Sequence, residues 1–478
     1  MIHSPLPKRG ASTRFMLLGS LPWLLACSMS PAGNADNGDA SASKTATSSA
    51  AAIDEPDPRP QDKPAFAAAI GFGAKSQGGR GGRIISVATL ADSGPGTLRA
   101  CIEATGPRVC VFRVGGVIRF VGRPPFISNP YITIAGQTAP GGGITLAHSG
   151  AIGGRTPLVV KDTHDVVVRH IRVRNDRIGE ERGSEDSFTV EKSAFVIFDH
   201  VSASWARDEL VNGYDDNDYI TVSNSIFAWG IPRHDKCALL ASHPADRQHF
   251  SFIGNICAHS GDRNPDVNFP PGSCIEVINN VLYNAKSEFA EVWETWGGTP
   301  VSLVGNSFVA GPDTMRGAVG IARQTIGSKG AASIYMADNA FIGRFLHVAP
   351  SAASHARAAP PCRFTVKPMK AAAGYQAVLK KSGAWPRASL DRQVVEAVRA
   401  RRGRIVQAPG TIPPIASAAP YRDNDGDGMD DRWEAANGID PGKFDAWADS
   451  DQDGTSNMDA YLDHLDAVLV GQAGLGRR

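Results

Sequence analysis

VVVRHIRV (166–173), VIFDHVSA (196–203) and ITVSNSIF (220–227) are one phrase written three times, and FSFIGNIC (250–257), EVINNVLY (276–283), SLVGNSFV (302–309) and IYMADNAF (334–341) continue it. Each is a short, β-branched, alternating strand closed by polar punctuation. Aligning the polar residue gives His170, His200, Asn224, Asn255, Asn280, Asn306 and Asn339, separated by 30, 24, 31, 25, 26 and 33 residues. Periods of this size mark a solenoid. The phrases are too short for helices, and parallel coils fit their spacing better than a sandwich. In a β-solenoid successive coils stack at about 4.8 Å, so equivalent positions form ladders along one face. The polar series is expected to cap turns by hydrogen-bonding adjacent coils.

Working outward, the chain has 478 residues, 42% of them hydrophobic and 20% charged, enough for a large core. The 49 basic side chains are matched by 48 acidic ones, with no basic stretch, so nucleic acid is not an expected partner. The one apolar run, Phe15 to Ala26, is too short to span a bilayer. Lys8, Arg9 and Arg14 precede it and Cys27 follows, an order that reads as a leader over 1–27. Leu24, Leu25, Ala26 and Cys27 resemble a lipobox, with Cys27 the lipidated residue and Ser28 pointing to the outer-membrane class. An ordinary signal peptide with an incidental cysteine is the other reading. Residues 28–64 are rich in Ala, Ser, Thr, Asp and Pro, and read as a disordered tether. Export to the cell surface or periplasm, or secretion, follows, with membrane attachment only through the lipid.

Six further cysteines, Cys101, Cys110, Cys237, Cys257, Cys274 and Cys362, are an even number in an exported chain and predict disulfides, Cys101 with Cys110 foremost. No CxxC spacing suggests structural zinc.

GFGAKSQGGRGG (71–82), DSGPGTLR (92–99) and ITIAGQTAPGGG (132–143) resemble the pectate lyase family of right-handed parallel β-helices. The likeness continues through SEDSFTVEKSAFVIFDHVSASWARDELVN (184–212) and AHSGDRNPDV (258–267), and covers roughly half the chain. A weaker likeness over 374–406 is similar to the amphipathic tail that many bacterial members carry. The resemblance implies an all-β fold: a parallel β-helix over 65–350, a short helical tail and linker over 351–420, and a small C-terminal calcium-loop module over 421–466.

The family's chemistry is β-elimination on an acidic polysaccharide, polygalacturonate. A base removes the proton at C5, and calcium and cationic side chains stabilise the charge that develops at the uronate carboxylate. By resemblance Asp186 and Asp208 fall on calcium-ligand carboxylates, Lys236 near the substrate-binding lysine, and Arg263 on the arginine proposed as base. His234 or His259 is the alternative cation. These four residues are spaced by 22, 28 and 27, about one coil each, and three coil steps span about 14 Å, room for a few sugars. A pKa above 12 makes arginine a difficult base unless its surroundings stabilise the neutral form. Two family calcium carboxylates correspond to Ser184 and Asn212, with Glu185 a candidate substitute. Where members carry a second arginine after the base, this chain has Asp266 and Asn268, and the negative charge of Asp266 opposes a uronate.

DNDGDGMDDRWE (423–434) fits the D-x-D-x-D-G-x5-E calcium loop, with Asp423, Asp425, Asp427, the Met429 carbonyl, Asp431 and Glu434 at ligand positions. DSDQDGTSNMDA (449–460) repeats it 26 residues on, with Asp449, Asp451, Asp453, the Thr455 carbonyl and Asn457; Ala460 replaces the last acid and Asp459 is its neighbour. The pair resembles calcium repeats appended to secreted polysaccharide-degrading enzymes, structural in role, with a partner-binding role the lesser reading.

The expected function is therefore a calcium-assisted lyase on a uronate polymer, acting as a monomer. A catalytically silent carbohydrate-binding solenoid is the alternative. A glycoside hydrolase would need two carboxylates flanking one bond; Asp215, Asp216 and Asp218 are clustered, but in one loop that reads as a turn.

Overall fold

Alternation in the repeated phrase sends every second side chain inward, and register makes those side chains continuous. Val168, Phe198, Val222, Phe252, Val277 and Leu303 stand directly beside one another on six successive coils. All six are fully buried, each worth about 1.5–3 kcal/mol of burial. The computed structural model describes residues 59, 63–150, 155–177, 185–232 and 234–471; the leader with Cys27, nearly all of the tether, and Ser184 lie outside them. Each full coil gives one strand to each of three parallel sheets, of eleven, nine and nine strands. The fold is the expected right-handed parallel β-helix, in which the chain runs in turn through the first sheet (Ala194–Asp199, Asp218–Ser223), the second (Ser202–Ser204, Ile226–Ala228) and the third (Glu209–Tyr214, Lys236–Ser242).

The polar punctuation proves to be two columns, one residue out of step. His170, His200 and Asn224 share a position with Gly254 and Asn279, and all five have positive φ, 54°, 51°, 49°, 71° and 52°, at the bend out of the first sheet. Asn255, Asn280, Asn306 and Asn339 occupy the next position and form the true ladder. The side-chain amide of Asn280 donates to the Phe252 carbonyl at 2.8 Å, while its Oδ1 accepts the Asn255 N–H at 2.8 Å. Asn306 and Asn339 repeat this pattern on the following coils.

The outer faces decide where a site can be. The segment 63–79 lies across the first sheet: Phe66 packs on Val167 and Ile197, and the amides of Phe72 and Gly73 donate to Ser251 and Thr221 at 2.9 and 2.8 Å. Gly71, at φ 82°, passes so near that a Cβ would stand 2.2 Å from the Thr221 hydroxyl, which explains the glycine-rich motif. Next to it Met429, Met458 and Tyr461 of the C-terminal segment pack on Val109 and Val111. Helices Ala371–Lys381 and Ser389–Ala400 cover the second sheet, with Val378, Leu379, Val394 and Val398 on Trp229, Ile256 and Val281. Disulfides join Cys101 to Cys110, Cys237 to Cys257 and Cys274 to Cys362. Among the described residues, the third sheet keeps an open groove over strands Leu158–Lys161, Phe188–Glu191 and Glu209–Tyr214. No described helix is long and apolar enough to cross a membrane.

Candidate active-site groove

Four middle coils bring their polar residues to the leading edge of the third sheet. Asp186 stands just before strand Phe188–Glu191, Asp208 just before Glu209–Tyr214, Lys236 opens Lys236–Ser242, and Arg263 precedes Asp266–Val267. These strands are hydrogen-bonded neighbours in that order, so the four residues fall on four successive coils. Register places Thr189, Asn212, Leu239, Asp266 and Glu291 in one row across the sheet.

At the first end Asp186 is 4% exposed. It accepts from Thr189 Oγ1 at 2.8 Å, Asn212 Nδ2 at 3.0 Å and the Glu209 amide at 3.1 Å. Burial, reinforced by the Asp208 charge, still pushes its carboxyl up to about 7. Burial also raises Asp208, but hydrogen bonds with His234 and Glu209 and the charges of His234 and Arg263 together outweigh it and hold that carboxyl below its ordinary value. Asn212 leaves its buried Oδ1 without a partner. Single oxygen or nitrogen atoms of Asp208, Glu209 and His234 lie within 4.8 Å of one another. Glu209, which the sequence reading passed over, is 2% exposed and raised well above the glutamate range by burial and by Asp186 and Asp208. A buried amide oxygen lacking a donor beside crowded carboxylates is the donor chemistry that a hard divalent cation satisfies.

Arg263 Nη1 donates to Glu209, and Nε lies 3.5 Å from Asp266 Oδ2. Burial alone would lower its pKa, but Asp266, Glu209 and Glu291 raise it above the ordinary guanidinium value. The neutral form that a free arginine base requires is therefore disfavoured, a correction to the simple assignment. Lys236 is paired with Asp262. Beyond Asp186, the groove continues past Thr156 and Val159 to Arg155 and Arg123, cations the sequence reading missed because they lie in loops without a motif.

Glu185 is buried, its Oε1 bonded to His148 and Asn175 and its Oε2 without a partner. Two expectations are corrected. His259 is fully buried against Trp229 and Tyr283 beneath the tail, so it cannot meet substrate. Asp459 pairs with Arg80 at 2.7 Å instead of completing the second loop. Asp215 and Asp216, in the bend, are committed to Lys192 and to the Ala245 amide, and Asp218, which opens the strand Asp218–Ser223, to His249.

In the first C-terminal loop, oxygens of Asp423, Asp425 and Asp427 cluster within 4.8 Å, and Asp427 clusters likewise with Glu434 and Asp445. Both Glu434 oxygens and one each of Asp425 and Asp427 are buried without partners. Burial and the surrounding acids push Glu434 up to about 8 and Asp427 to about 6. Asp445 lies outside the motif and was not predictable from it. Asp431 accepts the Asn424 amide at 2.9 Å and Asn457 the Ser450 amide at 3.2 Å, so the two loops are built alike. Asn457 also donates to Asp445 at 3.1 Å. Asp449 and Asp453 of the second loop accept backbone amides of Gly454 and Thr455.

A long polar groove on the open face of a parallel β-helix, with paired carboxylates beside cations, is the arrangement of a polysaccharide lyase. No family model matches the chain. The probable pectate lyase C of Neosartorya fischeri is 32% identical over 408 residues, covering 80% of this chain and 89% of that protein. That of Aspergillus fumigatus is 31% identical over the same length. Among solved structures, jun a 1, the major allergen from cedar pollen, matches with a TM-score of 0.50 at 19% identity, covering 66% of this chain and 92% of that one. The chain belongs to the pectate lyase family, and it is a lyase.

Proposed function

We propose that the chain cleaves a uronate polymer, polygalacturonate or a close relative, by cation-assisted β-elimination in the third-sheet groove. The observation that carries this is the alignment of Asp186, Asp208, Lys236 and Arg263 on four successive coils of the open sheet. Calcium fits the first end, where Asp186, Asp208 and the free Asn212 Oδ1 would hold it, and it would supply positive charge to the uronate carboxylate. Arg123 and Arg155 line the same groove and suit neighbouring uronates. His234, half exposed on Asp208, borders the substrate path.

Arg263 does its work together with Glu209. As the C5 proton passes to the guanidinium, Nη1 hands its proton to Glu209. The C5–H electron pair forms the C4–C5 double bond, the C4–O bond breaks, and the leaving oxygen takes a proton from water. Glu209 afterwards returns its proton to solvent. A carboxylate raised by burial is the more basic acceptor for that step.

The first C-terminal loop, with Asp423, Asp425, Asp427, the Met429 carbonyl and Glu434, joined by Asp445, holds calcium in a structural role. The second, more exposed loop is its weaker copy. The catalytically silent binding reading draws support from Asp266, which faces Arg263 inside the groove.

The deciding experiment incubates the chain with polygalacturonate and calcium and follows the ultraviolet absorbance of the 4,5-unsaturated product. A rise abolished by Arg263→Ala and by chelation is expected. Binding to the polymer without a rise would establish the silent reading, and new reducing ends without absorbance would indicate hydrolysis.

A further inference from the structure

Beyond Arg263 the groove runs into acid. On the coil of Arg263 and the one that follows, single carboxylate oxygens of Asp262, Glu288 and Glu291 lie within 4.8 Å of one another. Asp266 stands directly beside Glu291 in the sheet register and so on the same outward face. It is 3% exposed, and its Oδ1 has no hydrogen-bond partner. The cations are too few for these acids. Lys236 serves Asp262, and Arg263, already on Glu209, reaches Asp266 only at 3.5 Å. Glu288 and Glu291 have neutral donors instead: Gln324 Nε2 at 3.0 Å, and Trp293 Nε1 with the Arg263 amide at 3.1 and 3.0 Å.

We propose that Asp262, Glu288 and Glu291, backed by Asp266, bind a divalent cation of the calcium class, separate from the one assigned to Asp186 and Asp208. Calcium takes oxygen ligands at about 2.3–2.6 Å, so oxygens of this cluster are close enough together to share one ion. The orphaned Asp266 oxygen is the independent sign of a missing electropositive partner, because a buried acceptor left without a donor is costly. Asp262 and Glu288 are partly exposed, which leaves the ion open to the groove. With the ion in place Asp262 no longer needs Lys236, and the lysine is free to reach a uronate. The ion itself presents positive charge to the sugar on the far side of Arg263. That substrate role rests on the lyase reading, whereas ion binding does not.

The test counts bound calcium on the full chain by equilibrium dialysis and reads terbium luminescence sensitised through Trp293, whose indole donates to Glu291. Glu288→Gln and Glu291→Gln are each expected to lose one calcium per chain, and Trp293→Phe to keep the ion but lose part of the sensitised emission. Glu288 is partly exposed, so its variant reports even where Glu291→Gln fails to fold. An unchanged count in Glu288→Gln, or emission indifferent to Trp293→Phe, overturns the site. A lowered count in a chain that cleaves no uronate polymer upholds the site and rejects the lyase reading.

Discussion

The guanidinium of Arg263 donates to Glu209 and lies beside Asp266, so the proton transfer proposed for it depends on the partner that can receive a proton, Glu209. Glu209→Gln keeps the shape and a hydrogen bond but removes that acceptor. It is expected to lower kcat by about 10²–10⁴ with KM little changed, as loss of a proton acceptor does. An unaltered kcat would return the base role to Arg263 alone. Glu209 was hidden in the sequence because it adjoins Asp208, which carries the family likeness, and because nothing in a string of letters shows which acid turns towards Arg263. His259 misled in the opposite direction: its motif position suggested substrate, but the tail folds over it. Burial brings its imidazole down to about 4. The unfolded imidazole takes its proton near 6.5, so the stability this histidine contributes is present above that pH and is lost as the pH falls towards 4. The stability gap between the wild type and His259→Gln should therefore shrink by roughly 3 kcal/mol between about pH 7 and pH 4 in urea titrations. A gap independent of pH would mean that the ring is protonated while folded.

At the scale of the element, the asparagine ladder joins coils that the hydrophobic column alone would leave free to slip. Asn280 satisfies the Phe252 carbonyl on one side and the Asn255 amide on the other. Asn280→Ala strands both buried groups and should cost about 2–5 kcal/mol by thermal unfolding. Asn339→Ala, at the less buried end of the ladder, should cost less. Equal losses at both positions would show that the ladder does not act through burial. The repeat itself was plain from the phrases between 166 and 341, because alternating β-branched strands at nearly regular spacing leave few other folds. The one-residue offset between Asn224 and Asn255 was not. Both positions of the bend accept asparagine, one by tolerating positive φ and the other by bridging coils, so composition could not separate them. The same limit applied to the second calcium loop, where Arg80, far away in sequence, takes the acid that the motif offered.

For the whole molecule, function follows from which faces are covered. The tail closes the second sheet, the 63–79 segment and the C-terminal loops close much of the first, and the third remains for substrate. The C-terminal segment is held by a few anchors that cross long sequence distances. Arg113 meets Asp423 at 3.1 Å, Arg80 meets Asp459, and Asp466 accepts from His170 at 2.8 Å and is ion-paired with Arg169 at 3.0 Å. The first of these depends on the shape of the Asp423 loop, whose buried carboxylates repel one another unless a cation joins them. Occupancy of that loop thus bears on the first coils of the solenoid as well as on its own helices. Chelation of calcium from the full chain should raise amide hydrogen exchange over residues 421–471 and also over strand Arg108–Phe112, against which Met429 packs. The distant strand Pro300–Val304 should stay protected. The double variant Asp427→Asn with Glu434→Gln removes the repulsion along with the ion-binding charge, so its exchange should no longer respond to the chelator. Exchange that rises over the loops alone would confine the effect of calcium to them and leave the solenoid indifferent to it.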